Sequence, residues 1–157
     1  MMADFDKFGL AEYQELMKTH ATHMGLFGMK RHLPWVKNDP EFIKMQKTLR
    51  FFELLNGQEL RDHKLIRSEA KARLASAAGM SAQEVNSILQ QFKTQSVLFE
   101  VIKRERVADR PLPTTQAESS RLIAMYSVRD PSMIKRLTSY KPKNINTKQS
   151  AGGRGKF

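Results

Sequence analysis

The chain reads as an all-α protein: a compact helical bundle containing a helix-turn-helix, followed by short helices and an extended basic C-terminal tail. Three observations predict this. Apolar residues recur at helical spacing in several segments. Ser, Thr or Asp stands where several of those segments begin, twice with Glu three positions further on. No run shows the alternation of a half-buried strand.

The first helix is expected over residues 10–24, where Leu10, Tyr13, Met17, Ala21 and Met24 fall on one face. Gly25 and Gly28 then break it. The stretch GLFGMKRHLPWVKN stays apolar, with Leu26, Phe27, Met29, Leu33, Trp35 and Val36. A loop this greasy must fold over something or meet a partner. Asp39 and Pro40 supply a cap and a first helical residue for the next helix. Phe42, Met45, Leu49 and Phe52 line it, and Asn56 and Gly57 are expected to stop it.

A link, QELRDHKLIR, leads to the helix-turn-helix. Ser68 is its expected cap, and Gly79 closes its first member. Ser81 and Glu84 form a capping box for the second, which carries Val85, Ile88 or Leu89, Phe92, Phe99 and Ile102. The run ADRPLP should end that helix near Val107. Thr115 with Glu118 opens a further helix to about Val128, and Asp130 with Pro131 opens another to about Leu137. The residues beyond have no apolar period and no expected fold of their own. This divides the chain into a helical domain over 8–107, a linker with short helices over 108–138, and a basic extended tail over 139–157.

Charge is the most informative bulk property. The formal net charge is +11 on 157 residues. Residues 1–100 carry 14 Lys+Arg against 12 Asp+Glu, whereas residues 101–157 carry 13 against 4. From Pro131 onward there are seven basic residues and no acidic one. A polyanion is the natural partner for such a segment. Candidate RNA contacts there are Lys135, Arg136, Lys141, Lys143, Lys148, Arg154 and Lys156, with Tyr140 or Phe157 placed to stack on a base.

The chain has no cysteine, so thiolate chemistry and disulfides are excluded. No apolar run is long enough for a membrane span. The opening MMADFDKF resembles neither a secretory signal nor an organelle presequence. No catalytic constellation and no cofactor motif stand out. His20 and His23 lie three apart on a helix, but surface histidines explain them better than a metal site does.

The segment LIRSEAKARLASAAGMSAQEVNSILQQF, residues 65–92, carries a family resemblance. Arg73-Leu74-Ala75, then Gly79, then Ser81-Ala82-Gln83-Glu84-Val85-Asn86, and finally Leu89, Gln91 and Phe92 resemble the RNA-binding region of a known domain. It is the methionine-rich (M) domain of the signal recognition particle GTPase. Phe8-Gly9-Leu10 with Glu12 and Tyr13 is similar to the start of that domain's first helix, and the run MGLFGM to the start of its finger loop. The likeness spans residues 8–104. The chain holds no G-x-x-x-x-G-K-[ST] phosphate loop, so the likeness is to the M domain without its GTPase domain.

The resemblance implies two activities: gripping the particle's RNA with the helix-turn-helix, and cradling apolar signal sequences under the finger loop. The RNA motif is partly degenerate. The family's Gly-Ser-Arg-Arg stretch falls on Ser68, Glu69, Ala70 and Lys71, which leaves Lys71 and Arg73 as the cations. Residues for an apolar groove, or for a core that has replaced it, are Met17, Met24, Leu26, Phe27, Met29, Trp35, Phe42 and Met45. The core is the favoured reading. DNA binding is disfavoured, because the early exposed positions of the second helix, Ala82, Gln83, Asn86 and Ser87, carry no base.

These readings point to a non-catalytic RNA-binding structural component of a ribonucleoprotein. The expected particle is a mitochondrial ribosome, with ribosomal RNA and neighbouring ribosomal proteins as partners. The alternative is a stand-alone M domain, in the cytosol, that binds signal recognition particle RNA and apolar signal sequences.

Overall fold

The structure is a computed structural model that describes residues 7–28 and 32–138, the side chains of Arg136 and Leu137 excepted. Met29 and the tail candidates Lys141, Lys143, Lys148, Arg154 and Lys156 lie outside the described residues, as do Tyr140 and Phe157. The described residues form eight α-helices and no strand: α1 (Leu10–His23), α2 (Pro34–Lys37), α3 (Pro40–Glu53), α4 (Gly57–Arg61), α5 (Ser68–Ala78), α6 (Ala82–Val107), α7 (Gln116–Arg129) and α8 (Pro131–Thr138). The all-α expectation holds.

Most helix starts are written in cap chemistry. Asp39 accepts from Glu41 N at 2.9 Å, and Pro40 follows it. Ser81 accepts from Glu84 N at 3.1 Å while Glu84 accepts from Ser81 N at 2.7 Å. Thr115 and Glu118 repeat that box at α7. Two helix ends need a left-handed residue, and glycine supplies it: Gly25 at φ 80° after α1 and Gly79 at φ 66° after α5. In each, the following N–H reaches back to the helix, Leu26 to Ala21 O and Met80 to Ala75 O, both at 2.9 Å.

Three sequence expectations are corrected. Ser68 is not a cap but the first residue of α5. Extended Arg67 takes the cap position without a side-chain bond, because the fully buried Ile66 fixes where the chain enters. Asn56 does not stop α3, which ends at Glu53. Instead Asn56 caps α4, accepting from Gln58 N and Glu59 N, with Glu59 closing the box. On the far half of α6 Phe99 is buried as expected, Val97 and Val101 join it as core positions, and Ile102 is only half-buried.

Three apolar clusters hold the helices. The largest joins α1, α3, α5 and α6 through Leu10, Tyr13, Phe51, Phe52, Leu74 and Phe92, among others. Both Ile88 and Leu89 enter it, because α6 packs against α1 and α5 together. Phe8 stacks on Phe92 and Phe99, and Tyr13 meets Phe52 edge-on at 5.7 Å. Burial pushes the Tyr13 hydroxyl up to about 12. A second cluster, Ala21, Leu26, Phe42 and Leu49, closes the finger end, with Met17 packed against both.

The third cluster seats α7 and α8 on the second half of α6 through Val97, Val101, Tyr126 and Met133. At its edge Glu105 is buried. It accepts from Tyr126 Oη at 2.6 Å and Arg110 Nη1 at 3.0 Å. Arg104 Nη1 meets Asp130 Oδ2 at 2.8 Å. Hydrogen bonds from Ser132, Arg104 and the Met133 N–H hold the Asp130 carboxyl down at about 2.

Candidate functional site

The helix-turn-helix presents a basic hollow of about 200 Å³ between α5, α6 and the 3₁₀ turn at His63–Leu65. His63, Lys71, Asn86, Gln90 and Lys93 line it above an apolar base of Ile66 and Leu89. The geometry follows from helical spacing: Asn86, Gln90 and Lys93 stand at i, i+4 and i+7 on α6, so they share one face. Lys71 comes across from α5, and its Nζ donates to Asn86 Oδ1 at 2.8 Å.

The electrostatics are those of cations pressed together. Burial, and then the charge of Lys71, push the Lys93 ammonium below its ordinary value. Burial also lowers His63, helped by Lys93 and Lys64 and opposed by Asp62. His63 is therefore neutral at neutral pH and packs edge-on against Phe92 at 5.1 Å. An anion in the hollow would relieve the repulsion between the two lysines, which is the chemistry of a phosphate contact.

The structure gathers some of the sequence-predicted residues and separates others. Lys71 sits in the hollow. Arg73 does not: its Nη2 donates to Glu59 Oε1 at 2.6 Å, bracing α5 against the buried Glu59 that also caps α4. Half of the Arg73 side chain remains exposed. Lys135 is exposed on α8 and is not among the residues that line the hollow. Lys93, His63 and Asn86 were missed. Their signal was available in the i, i+4, i+7 row on α6, but the 3₁₀ turn that brings in His63 leaves no such trace.

The finger-region residues divide. Leu26 and Phe42 are buried, and Met17, Met24 and Met45 are half-buried. Phe27 and Trp35, by contrast, are 58% and 70% exposed on either side of residues 29–31. Two large apolar side chains at that exposure in one region are an uncovered surface rather than a core. Among the described residues no group of His, Asp and Glu is placed to hold a metal ion, and no helix is long and apolar enough to cross a membrane.

Fold and site together define an M-domain-like helical domain with a helix-turn-helix at its centre. The chain belongs to the signal peptide binding domain family, whose model matches residues 2–119. No curated protein and no solved structure matches the chain.

Proposed function

We propose that this protein is a non-catalytic RNA-binding component of a ribonucleoprotein particle, in which a signal-peptide-binding fold is tethered to RNA by its basic C-terminal segment. The observation that carries this reading is the charge distribution: 13 basic against 4 acidic residues over 101–157, and no acid from Pro131 onward. The basic hollow of Lys71 and Lys93 supports it with a second cationic recess on the same chain.

The finer assignment is to a ribosome, with ribosomal RNA and neighbouring ribosomal proteins as partners. The tail's composition supports it, since glycines at 152, 153 and 155 among lysines and arginines suit a strand threaded against phosphates. Mitochondrion is the compartment we attach to that assignment, with the cytosol as the alternative. Sedimentation of the native protein in high salt tests the reading. Co-migration with a ribosomal subunit is expected, whereas co-purification with a signal recognition particle GTPase would contradict it.

A second reading has one observation in its favour. Exposed Phe27 and Trp35 offer an apolar surface in the finger region, which suits an apolar peptide segment such as a signal sequence. The family to which the chain belongs supports the same reading. Crosslinking from position 27 or 35 to a nascent signal sequence tests it, and its absence would leave the RNA reading alone.

A further inference from the structure

A separate groove lies elsewhere among the described residues, between α3 and the start of α6. It encloses about 410 Å³, and its lining shares no residue with the basic hollow and includes neither Phe27 nor Trp35. Ile43, Met80 and Ile88 make its apolar surface, with Ile43 itself 39% exposed. Lys44 and Lys47 on α3 supply two positive charges at the rim. The one carboxylate there, Glu84, is already engaged, accepting from Ser81 N through Oε2 at 2.7 Å and facing Lys47 Nζ from Oε1 at 3.4 Å. The rim is therefore net positive over an apolar floor.

We propose that this groove docks an amphipathic helix of a protein partner, with apolar residues facing the floor and acidic residues meeting Lys44 and Lys47. The shape favours a helix. The groove is walled by two helices, and Glu84, Ile88 and Gln91 run along α6 at i, i+4 and i+7, a row about 10 Å long. Charge selects the partner. A second copy of this chain, at +11, is repelled. RNA is disfavoured by the Glu84 carboxylate, and no aromatic ring lines the groove to stack a base. An acidic helix satisfies both the rim and the floor.

The test uses the full chain and a fluorescein-labelled 14-residue synthetic helix with leucines on one face and glutamates flanking them. Its counterpart carries lysines in place of the glutamates. Saturable binding of the glutamate peptide is expected, with NMR shifts at the Ile43, Met80 and Ile88 methyls. The surface variants Ile43→Ser and Lys44→Glu should each weaken binding about tenfold while the circular dichroism and melting temperature stay unchanged. Equal binding of the lysine peptide, shifts centred instead on the neighbours of Phe27 and Trp35, or the absence of saturable binding would each overturn the proposal. An RNA oligonucleotide that shifts the same three methyls would overturn it as well. Loss of RNA binding elsewhere on the chain would leave these shifts untouched, so the two proposals fail separately.

Discussion

Single residues set the chemistry of this domain through the company they keep. Lys71 was legible as a cation on the helix-turn-helix because a family-like run surrounds it. Arg73 was equally visible, yet its guanidinium is turned to Glu59 at 2.6 Å, since a carboxylate only 7% exposed demands a partner. Nothing in the sequence near Arg73 reveals that demand, because Glu59 lies 14 positions away in the link that precedes the helix-turn-helix. The buried Glu105 is a similar case. Its partners, Tyr126 and Arg110, come from the next helix and from the break before it. The Glu105 carboxylate pushes the Tyr126 hydroxyl above its ordinary range, ahead of the effect of burial. Tyr126→Phe removes one hydrogen bond to a buried charge, at a cost of about 1.5 to 3 kcal/mol. A fall in melting temperature of roughly 5 °C is expected by calorimetry. An unchanged melting temperature would show that the Arg110 contact alone satisfies Glu105.

At the scale of elements, capping chemistry made most of the fold readable. The helices opened by Asp39, Ser81 and Thr115 begin where those residues place them, because each satisfies backbone donors that would otherwise be orphaned. The link over residues 57–66 was harder. It holds only five- and three-residue helical pieces, too short to show an apolar period, and Asn56 serves equally well as a stop or a start. The finger region was ambiguous for a different reason. Apolar residues there signal burial or recognition alike, and the structure uses Leu26 and Phe42 for one while leaving Phe27 and Trp35 outside. The end of α6 carries a further consequence. Asp109 takes a left-handed conformation at φ 52°, directly after the Ala108 cap, where glycine would rest without strain. Asp109→Gly should therefore stabilise the protein by about 0.5 to 1 kcal/mol, read as a higher urea midpoint with an unchanged slope. A lower midpoint would mean that the Asp109 side chain contributes more than its backbone costs.

The whole molecule combines two unlike parts. The three apolar clusters draw on described residues no later than Ile134, so the helical body has its own core. The excess charge lies beyond and around it, with five of the basic residues in 139–157. Composition made that asymmetry plain from the sequence. The packing of α7 and α8 onto α6 was not plain, because the apolar residues of two short helices do not reveal which surface they will meet, here that of Val97 and Val101. The central claim is that RNA is held mainly by the C-terminal cations, with the hollow of Lys71 and Lys93 in a lesser role. The most direct measurement is the salt dependence of RNA binding for the intact chain, for a chain ending at residue 138, and for the Lys71→Ala/Lys93→Ala variant. Each cation on a phosphate contributes about 0.7 to the slope of log affinity against log salt for single-stranded RNA. The truncated chain, short of five cations, should therefore lose about 3.5 units of slope and the double variant about 1.4, with the described helices of both intact. A truncated chain that keeps its slope, beside a double variant that loses nearly all of it, would contradict the account.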